Sequence, residues 1–240
     1  MSGVQLVDIK LQRGQTQVFD GLSLQLTEKR IGVIGNNGAG KSSLFRLLCG
    51  LEQPQSGQVL IDDTPLLEAR QNKPGLVGLM FQNPDDQIIF PTVEEELALG
   101  LRPQGLNKQQ ARAKARELLT ARGLEHWAER AVGSLSQGQR QQVCWLSLLI
   151  AAPQLLLLDE PFASLDLPGQ ARLAQDIAAA PQQVLVSTHV LDHVRDFERV
   201  IWLEQGRLLG DGAGREVCHA YEEAVKQQLA QQSTAGVRHG

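Results

Sequence analysis

The segment Gly35–Ser43 reads GNNGAGKSS, three glycines leading to a lysine and two hydroxyls. Glycines let a loop turn tightly enough for successive backbone N–H groups to face one anion. A lysine at its end adds a mobile ammonium, and the next hydroxyl can sit on a divalent cation. The chemistry that fits is the holding of a nucleotide's phosphates. Gly35, Asn36, Asn37, Gly38, Ala39 and Gly40 form the cradle, Lys41 reaches the β and γ phosphates, and Ser42, followed by Ser43, places its hydroxyl on Mg2+. The plainer reading, a glycine turn with an exposed lysine, does not account for the strand RIGVI before the loop and the helical pattern after it. A second group is LLLLDE, in which four apolar residues deliver Asp159 and Glu160 to the end of a strand. Asp159 suits Mg2+, directly or through water. Glu160 suits the polarising of an attacking water, a role that general-base catalysis makes worth about 10² to 10⁴ in rate. A third is LSQGQRQQV, Leu135 to Val143, where Ser136 and Gly138 at a helix start offer a hydroxyl and N–H groups to an anion.

These groups need elements to hold them. RIGVIG, GLVGLMFQ, LLLLDE, VLVSTH and RVIWLE are mostly continuous apolar runs rather than alternating ones, which is how strands buried on both faces read. Between them lie helical patterns at 42–49, 108–122 behind an Asn107 N-cap, 138–152, 169–179 and 216–232. The expectation is an α/β chain with a largely parallel sheet, ligands gathering at the carboxyl ends of its strands. The Ala-, Leu- and Arg-rich stretch around 95–135 has no buried-strand signal and is expected to form a helical lobe of about 83–150 inserted in the core. Its Arg112, Lys114, Arg116 and Arg122 are read as a solvated helix face. Residues 1–232 form one domain in this reading, and the small, polar 233–240 a disordered tail. In the last helix Val217, Tyr221, Val225 and Leu229 recur at helical spacing, to pack on their own domain or on a second copy.

The bulk numbers narrow the class. A single α/β domain of 240 residues can bury roughly 70 to 75% of its unfolded surface, so a core needs no staples. Cys49, Cys144 and Cys218 are odd in number and widely spaced, which suits reduced packing residues. Cys218 beside His219 lacks the further ligands of a metal site. MSGVQLVDIK has no apolar signal core, and the longest apolar region, WLSLLIAAPQLLLLDE, is interrupted by Ser147, Pro153 and Gln154, so any membrane role is expected to be peripheral. A net charge of −4 argues against a broad basic face for nucleic acid.

GNNGAGKSS, Gln82, LSQGQ, LLLLDE, SLD and His189, in that order, make the chain resemble the ATP-binding cassette ATPases over about residues 4–215. The resemblance implies a P-loop NTPase-like nucleotide-binding domain with a parallel core sheet, an N-terminal antiparallel β part and a helical lobe, using ATP and Mg2+. It implies that two domains pair head to tail, with Ser136 and Gly138 of one closing on the ATP held by Lys41 of the other and Gln139 among the signature contacts. Gln82 then senses Mg2+ and the attacking water, Asp166 communicates across the dimer, and His189 contacts the γ-phosphate. Every half-site is intact, so a homodimer is the simplest assembly, with a paralogous ATPase as the other choice. Three departures stand out. The aromatic residue that usually stacks on adenine is missing, with Arg13 or Leu11 near its place and Phe19 the closest ring; Gln137 replaces the usual second signature residue; and Val190 follows His189 where an acid is common.

The stretch FQNPDDQIIFPTVEEEL carries five carboxylates, Asp85, Asp86, Glu94, Glu95 and Glu96, around Ile88, Ile89 and Phe90. A metal site, a solvated acidic loop and a protein-docking groove are all open on residue types alone. The resemblance favours the groove, with the apolar residues as its floor and the carboxylates as a rim for a cationic coupling helix. FQNPDDQIIFPTVEEELALG is similar to the ATPase component of energy-coupling factor transporters. That similarity implies a transmembrane coupling protein and a small substrate-binding membrane protein as partners, at the cytoplasmic face of the plasma membrane. The IIFPTV version and the compact C-terminus resemble biotin importers more than cobalt or nickel ones; cobalt or nickel import, and a soluble ATPase of the same fold acting on nucleic acid or ribosomes, are the alternatives.

Overall fold

A computed structural model describes residues 3–236. In chain order the strands are β1 (Val4–Arg13), β2 (Thr16–Leu26), β3 (Arg30–Ile34), β4 (Ser56–Ile61), β5 (Thr64–Pro65), β6 (Val77–Met80), β7 (Leu155–Asp159), β8 (Gln183–Ser187), β9 (Arg199–Glu204) and β10 (Arg207–Gly212). The helices are α1 (Lys41–Leu48), α2 (Leu66–Asn72), α3 (Val93–Leu99), α4 (Lys108–Ala121), α5 (Gln137–Ala151), α6 (Leu167–Ala179) and α7 (Gly214–Gly236). A four-stranded antiparallel sheet runs β2-β1-β4-β5, and a six-stranded sheet runs β10-β9-β3-β8-β7-β6, with only the β10 edge antiparallel. The helices expected from sequence agree with α1, α4, α5, α6 and α7 to within two residues at each start. At the far end α7 runs to Gly236, past the expected 232, and 237–240 lie outside the described residues.

Strand periodicity explains why the core runs are continuous. Successive side chains point to opposite faces. On β7, Leu155 and Leu157 join one apolar cluster, beneath α1 and the antiparallel sheet, while Leu156 and Leu158 join a second with Cys144 of α5 and Ile177 of α6. The same split sends Leu185 of β8 and Ile201 of β9 to the first cluster, and Val184, Val186 and Val200 to the second. Both faces are covered, so both must be apolar. All three cysteines are free and buried, and burial pushes the Cys144 thiol up to about 12. Among the described residues no helix is long and apolar enough to cross a membrane.

The third apolar cluster makes the helical lobe. Val93 and Leu97 of α3, Ala115 and Leu119 of α4, and Val143 and Leu146 of α5 close over Trp127 and Val132. This packing withdraws Glu94 and Glu96 from the expected acidic rim, while Asp85 and Asp86 stay exposed. Glu94 and Glu96 are only 6% and 4% exposed, and α3 faces α4 so that arginines one turn apart meet the carboxylates. Arg116 Nε lies 2.6 Å from Glu94, Arg112 bonds Glu95, and Arg140 Nε lies 3.0 Å from Asp85. Thr92 Oγ1 and the arginine hold the Glu95 carboxyl below its ordinary range. Arg112, Arg116 and Arg122 stand on a solvated face as expected and are ion-paired as well; Arg122 reaches Asp176 on α6 at 2.7 Å and ties the lobe to the core. A carboxylate taken out of water needs such partners. Ile88 packs inward and Phe90 lies under the Arg102 guanidinium, leaving Ile89, 75% exposed, as the apolar residue that stands out.

Glu96 has a different duty, accepting the backbone N–H groups of Ile89 at 2.9 Å and Phe90 at 2.8 Å. Glu96→Ala leaves both part-buried donors without this partner and is expected to lower unfolding stability by about 1 to 2 kcal/mol. Urea denaturation checks it, and a loss indistinguishable from zero would show that water replaces the carboxylate.

Candidate active site

The loop after β3 is held by contacts that a larger residue forbids. Gly35 has φ 141°, and a Cβ there would lie 2.0 Å from the Leu203 carbonyl oxygen. The chain turns from Ile34 into the loop, and Lys41 begins α1 with its ammonium donating to the carbonyls of Gly35 at 2.7 Å and Asn36 at 3.2 Å. Lys41 is 8% exposed, so its charge sits close against the loop. No carboxylate competes for it in these bonds, and the ammonium is free to exchange two neutral carbonyls for phosphate oxygens.

An open cleft of about 880 Å³ surrounds this loop. Gly35, Asn36, Asn37, Gly38, Ala39, Gly40, Lys41, Ser42 and Ser43 line it together with Gln82, Asp159, Glu160 and His189. Asp159 ends β7, and its Oδ1 accepts the Ser187 hydroxyl from the neighbouring strand. Glu160 follows in a left-handed backbone conformation at φ 48°, which is uncommon for a non-glycine residue. Its N–H donates to the Ser187 carbonyl at 3.1 Å, and its Oε2 lies 2.9 Å from His189 Nδ1. The Glu160 side chain is 11% exposed, whereas the His189 side chain is 65% exposed. A buried acid and an accessible imidazole thus meet at the end of two adjacent strands.

The remaining expected residues occupy another cleft, of about 820 Å³, lined by Ser136, Gly138, Gln139 and Asp166. Ser136 caps α5: its Oγ accepts the Gln139 N–H at 3.2 Å while Gln139 Oε1 accepts the Ser136 N–H at 2.9 Å. The Gln139 amide is therefore turned back onto its own helix end. A Cβ on Gly138 would lie 3.0 Å from the Ser164 carbonyl oxygen, so a glycine lets α5 approach the 164–166 segment closely. Asp166 caps α6, its Oδ1 accepting the Gly169 N–H at 2.9 Å.

Of the three candidates for the missing aromatic, Leu11 and Phe19 are each 1% exposed and belong to the core; Phe19 packs beneath Gly40. Arg13 alone lines the Lys41 cleft, its Nε donating to Glu52 at 2.7 Å, and that hydrogen bond raises the guanidinium above its ordinary range. Sequence reasoning missed Tyr221 and the Gln205–Gly206 turn, which also line the cleft. Tyr221 is 185 positions from its hydrogen-bond partner Asn36, and no local pattern marks it as more than one apolar stop on a helix.

Residues 19–163 match the family described as ABC transporter. The biotin transport ATP-binding protein BioM of Rhodobacter capsulatus is 44% identical over 94% of this chain and 97% of its own length. The energy-coupling factor transporter ATP-binding protein EcfA of Methanoculleus marisnigri is 38% identical over 86% of this chain and 77% of its own length. Among solved structures, cbiO1 of Clostridium perfringens, described as part of the ABC transporter complex cbiONQ, superposes with a TM-score of 0.76 at 25% identity over 94% of each chain. With its phosphate loop, acidic strand end and capped signature helix in family order, the chain belongs to the ABC transporter ATPases, in their energy-coupling factor group.

Proposed function

We propose that this ATPase drives a micronutrient importer, that it works as a head-to-tail pair of identical chains, and that the solute is biotin. The observation that carries the pairing is the division of its binding residues between two clefts. Lys41 and Glu160 line one; Ser136, Gly138 and Asp166 line the other. A second copy turned end for end sets the N-terminus of α5, with its unpaired N–H groups and positive dipole end, against a nucleotide held at Lys41. A paralogous ATPase could take the second place, but nothing in this chain's half-sites requires one.

Within the completed site each residue has a distinct task. The backbone N–H groups of the loop and the Lys41 ammonium hold the β and γ phosphates. Ser42, Gln82 and Asp159 supply hydroxyl, amide and carboxylate oxygens, a hard donor set that fits Mg2+. Bound there, Mg2+ neutralises charge on the phosphate oxygens. Glu160 accepts a proton from the attacking water as the γ-phosphate leaves, and His189 steadies that carboxylate through Nδ1 while turning its other edge to the γ-phosphate. The strained backbone at Glu160 is what aims its carboxylate into the cleft.

The segment after Gln82 docks the membrane subunits, a transmembrane coupling protein and, with it, a small solute-binding membrane protein. Support for this is the outward Ile89 beside the exposed Asp86, on a loop braced from within by Glu96. The chain then works at the cytoplasmic face of the membrane without entering it. Biotin is favoured over cobalt or nickel by the Rhodobacter relative, which covers nearly the whole chain.

Glu160→Gln is expected to slow ATP turnover about 10² to 10⁴-fold while leaving ATP binding intact and accumulating an ATP-bound dimer on size exclusion. Turnover at the wild-type rate would assign the base elsewhere. Ile89→Asp is expected to abolish uptake of labelled biotin by the assembled transporter without slowing ATP turnover by the isolated chain. Unchanged uptake would move the docking surface away from this loop, and uptake of cobalt or nickel in place of biotin by the unaltered transporter would change the solute.

A further inference from the structure

Asn36, the second residue of the phosphate loop, is gripped through both its backbone and its side chain. Its carbonyl accepts the Ala39 N–H at 3.0 Å and the Lys41 ammonium at 3.2 Å. Its Nδ2 donates to the two Glu204 carboxylate oxygens at 3.2 and 3.1 Å, and its Oδ1 accepts the Tyr221 hydroxyl at 3.0 Å. A carboxylate only accepts and this phenol donates, so the pair of partners specifies which way the amide faces. Glu204 closes β9, and Tyr221 stands on α7 with its ring edge-on to Trp202, centroids 5.2 Å apart. Burial, with the nearby Glu204 charge, raises the Tyr221 hydroxyl above its ordinary range, which keeps it a donor.

We propose that Tyr221 is a positioning residue for ATP: with Glu204 it fixes Asn36 and so lets the C-terminal helix set how tightly the phosphate loop binds nucleotide. The proposal rests on the reading of the Lys41 cleft as the ATP site. When the Lys41 ammonium leaves the Gly35 and Asn36 carbonyls for phosphate, those carbonyls lose a partner that helped hold the first turn of the loop. Anchors on the Asn36 side chain do not depend on Lys41. They keep the following N–H groups aimed at the ligand through the exchange, and a loop already ordered gives up less freedom on binding. The reach of the arrangement is long: a residue near the end of the chain acts on a loop near its beginning, through one amide.

Tyr221→Phe removes the hydroxyl and keeps the ring on Trp202. In the full-length chain, titration with a fluorescent ATP analogue and steady-state turnover are expected to show Kd and KM raised about threefold to tenfold, the effect of one lost hydrogen bond. The maximal rate and the unfolding temperature should stay at the wild-type value. In an Asn36→Ala background the same substitution is expected to add nothing further. Unchanged affinity in the single variant, with or without a lower unfolding temperature, would overturn the proposal and leave Tyr221 as packing for α7. An equal, additive loss in the Asn36→Ala background would also overturn it, because Tyr221 would then touch nucleotide without Asn36. Failure of the unaltered chain to bind nucleotide would instead reject the ATP reading, and the proposal with it.

Discussion

Everything in this molecule depends on burying the parallel sheet on both faces. With one face under α1 and the antiparallel sheet and the other under α5, α6 and α7, a polar side chain along β3, β7 or β8 would be stranded. Polar chemistry is possible only where the strands stop. The register makes those stopping points converge: Asp159 on β7 pairs with Ser187 on β8, and Ser187 pairs with Val33 on β3. The loop beginning at Gly35, the Asp159–Glu160 step and the Thr188–His189 step therefore emerge side by side at the carboxyl ends of the strands. The site is a consequence of the core's intolerance of charge rather than an addition to it.

Several candidate residues of the second cleft also serve folding. Ser136 and Asp166 each satisfy an orphan N–H at the start of a helix, and the cap geometry also fixes where each side chain stands in the second cleft. The glycine at 138 works in the same double way, since the close approach of Ser164 locks the signature helix to the segment that ends in Asp166. On the proposed pairing, the groups that would face a second chain are held by bonds made within their own chain, which suits a surface that opens and closes without losing shape.

The sequence was most legible where a rule is local. Continuous apolar runs marked five strands, because two-sided burial leaves no alternation to read. Asn107 marked the start of α4 because its capping box needs only Gln110 three residues on. Legibility failed where a side chain's partner is distant. Glu94 looked like part of an exposed acid cluster because Arg116 lies 22 positions away, and pairing of that kind is set by how α3 lies on α4, not by spacing. Phe19 looked like a ring available to a base, yet the Gly40 turn packs over it. The Tyr221–Asn36 bond joins residues 185 positions apart and has no sequence signature at all. The motif residues line the two clefts because each motif carries its own loop, whereas support surfaces are made between elements.

The left-handed backbone at Glu160 sets a limit on how stable this protein can become. A non-glycine residue held there costs of order 1 to 3 kcal/mol, a sizeable share of what a folded domain has in hand. A glycine would adopt that conformation with ease, relieving the strain and deleting the carboxylate in one step. On the role proposed for Glu160, selection for a hardier fold and selection for turnover pull in opposite directions at this position, and a descendant of the chain that drifted to glycine here is expected to fold and bind nucleotide without consuming it.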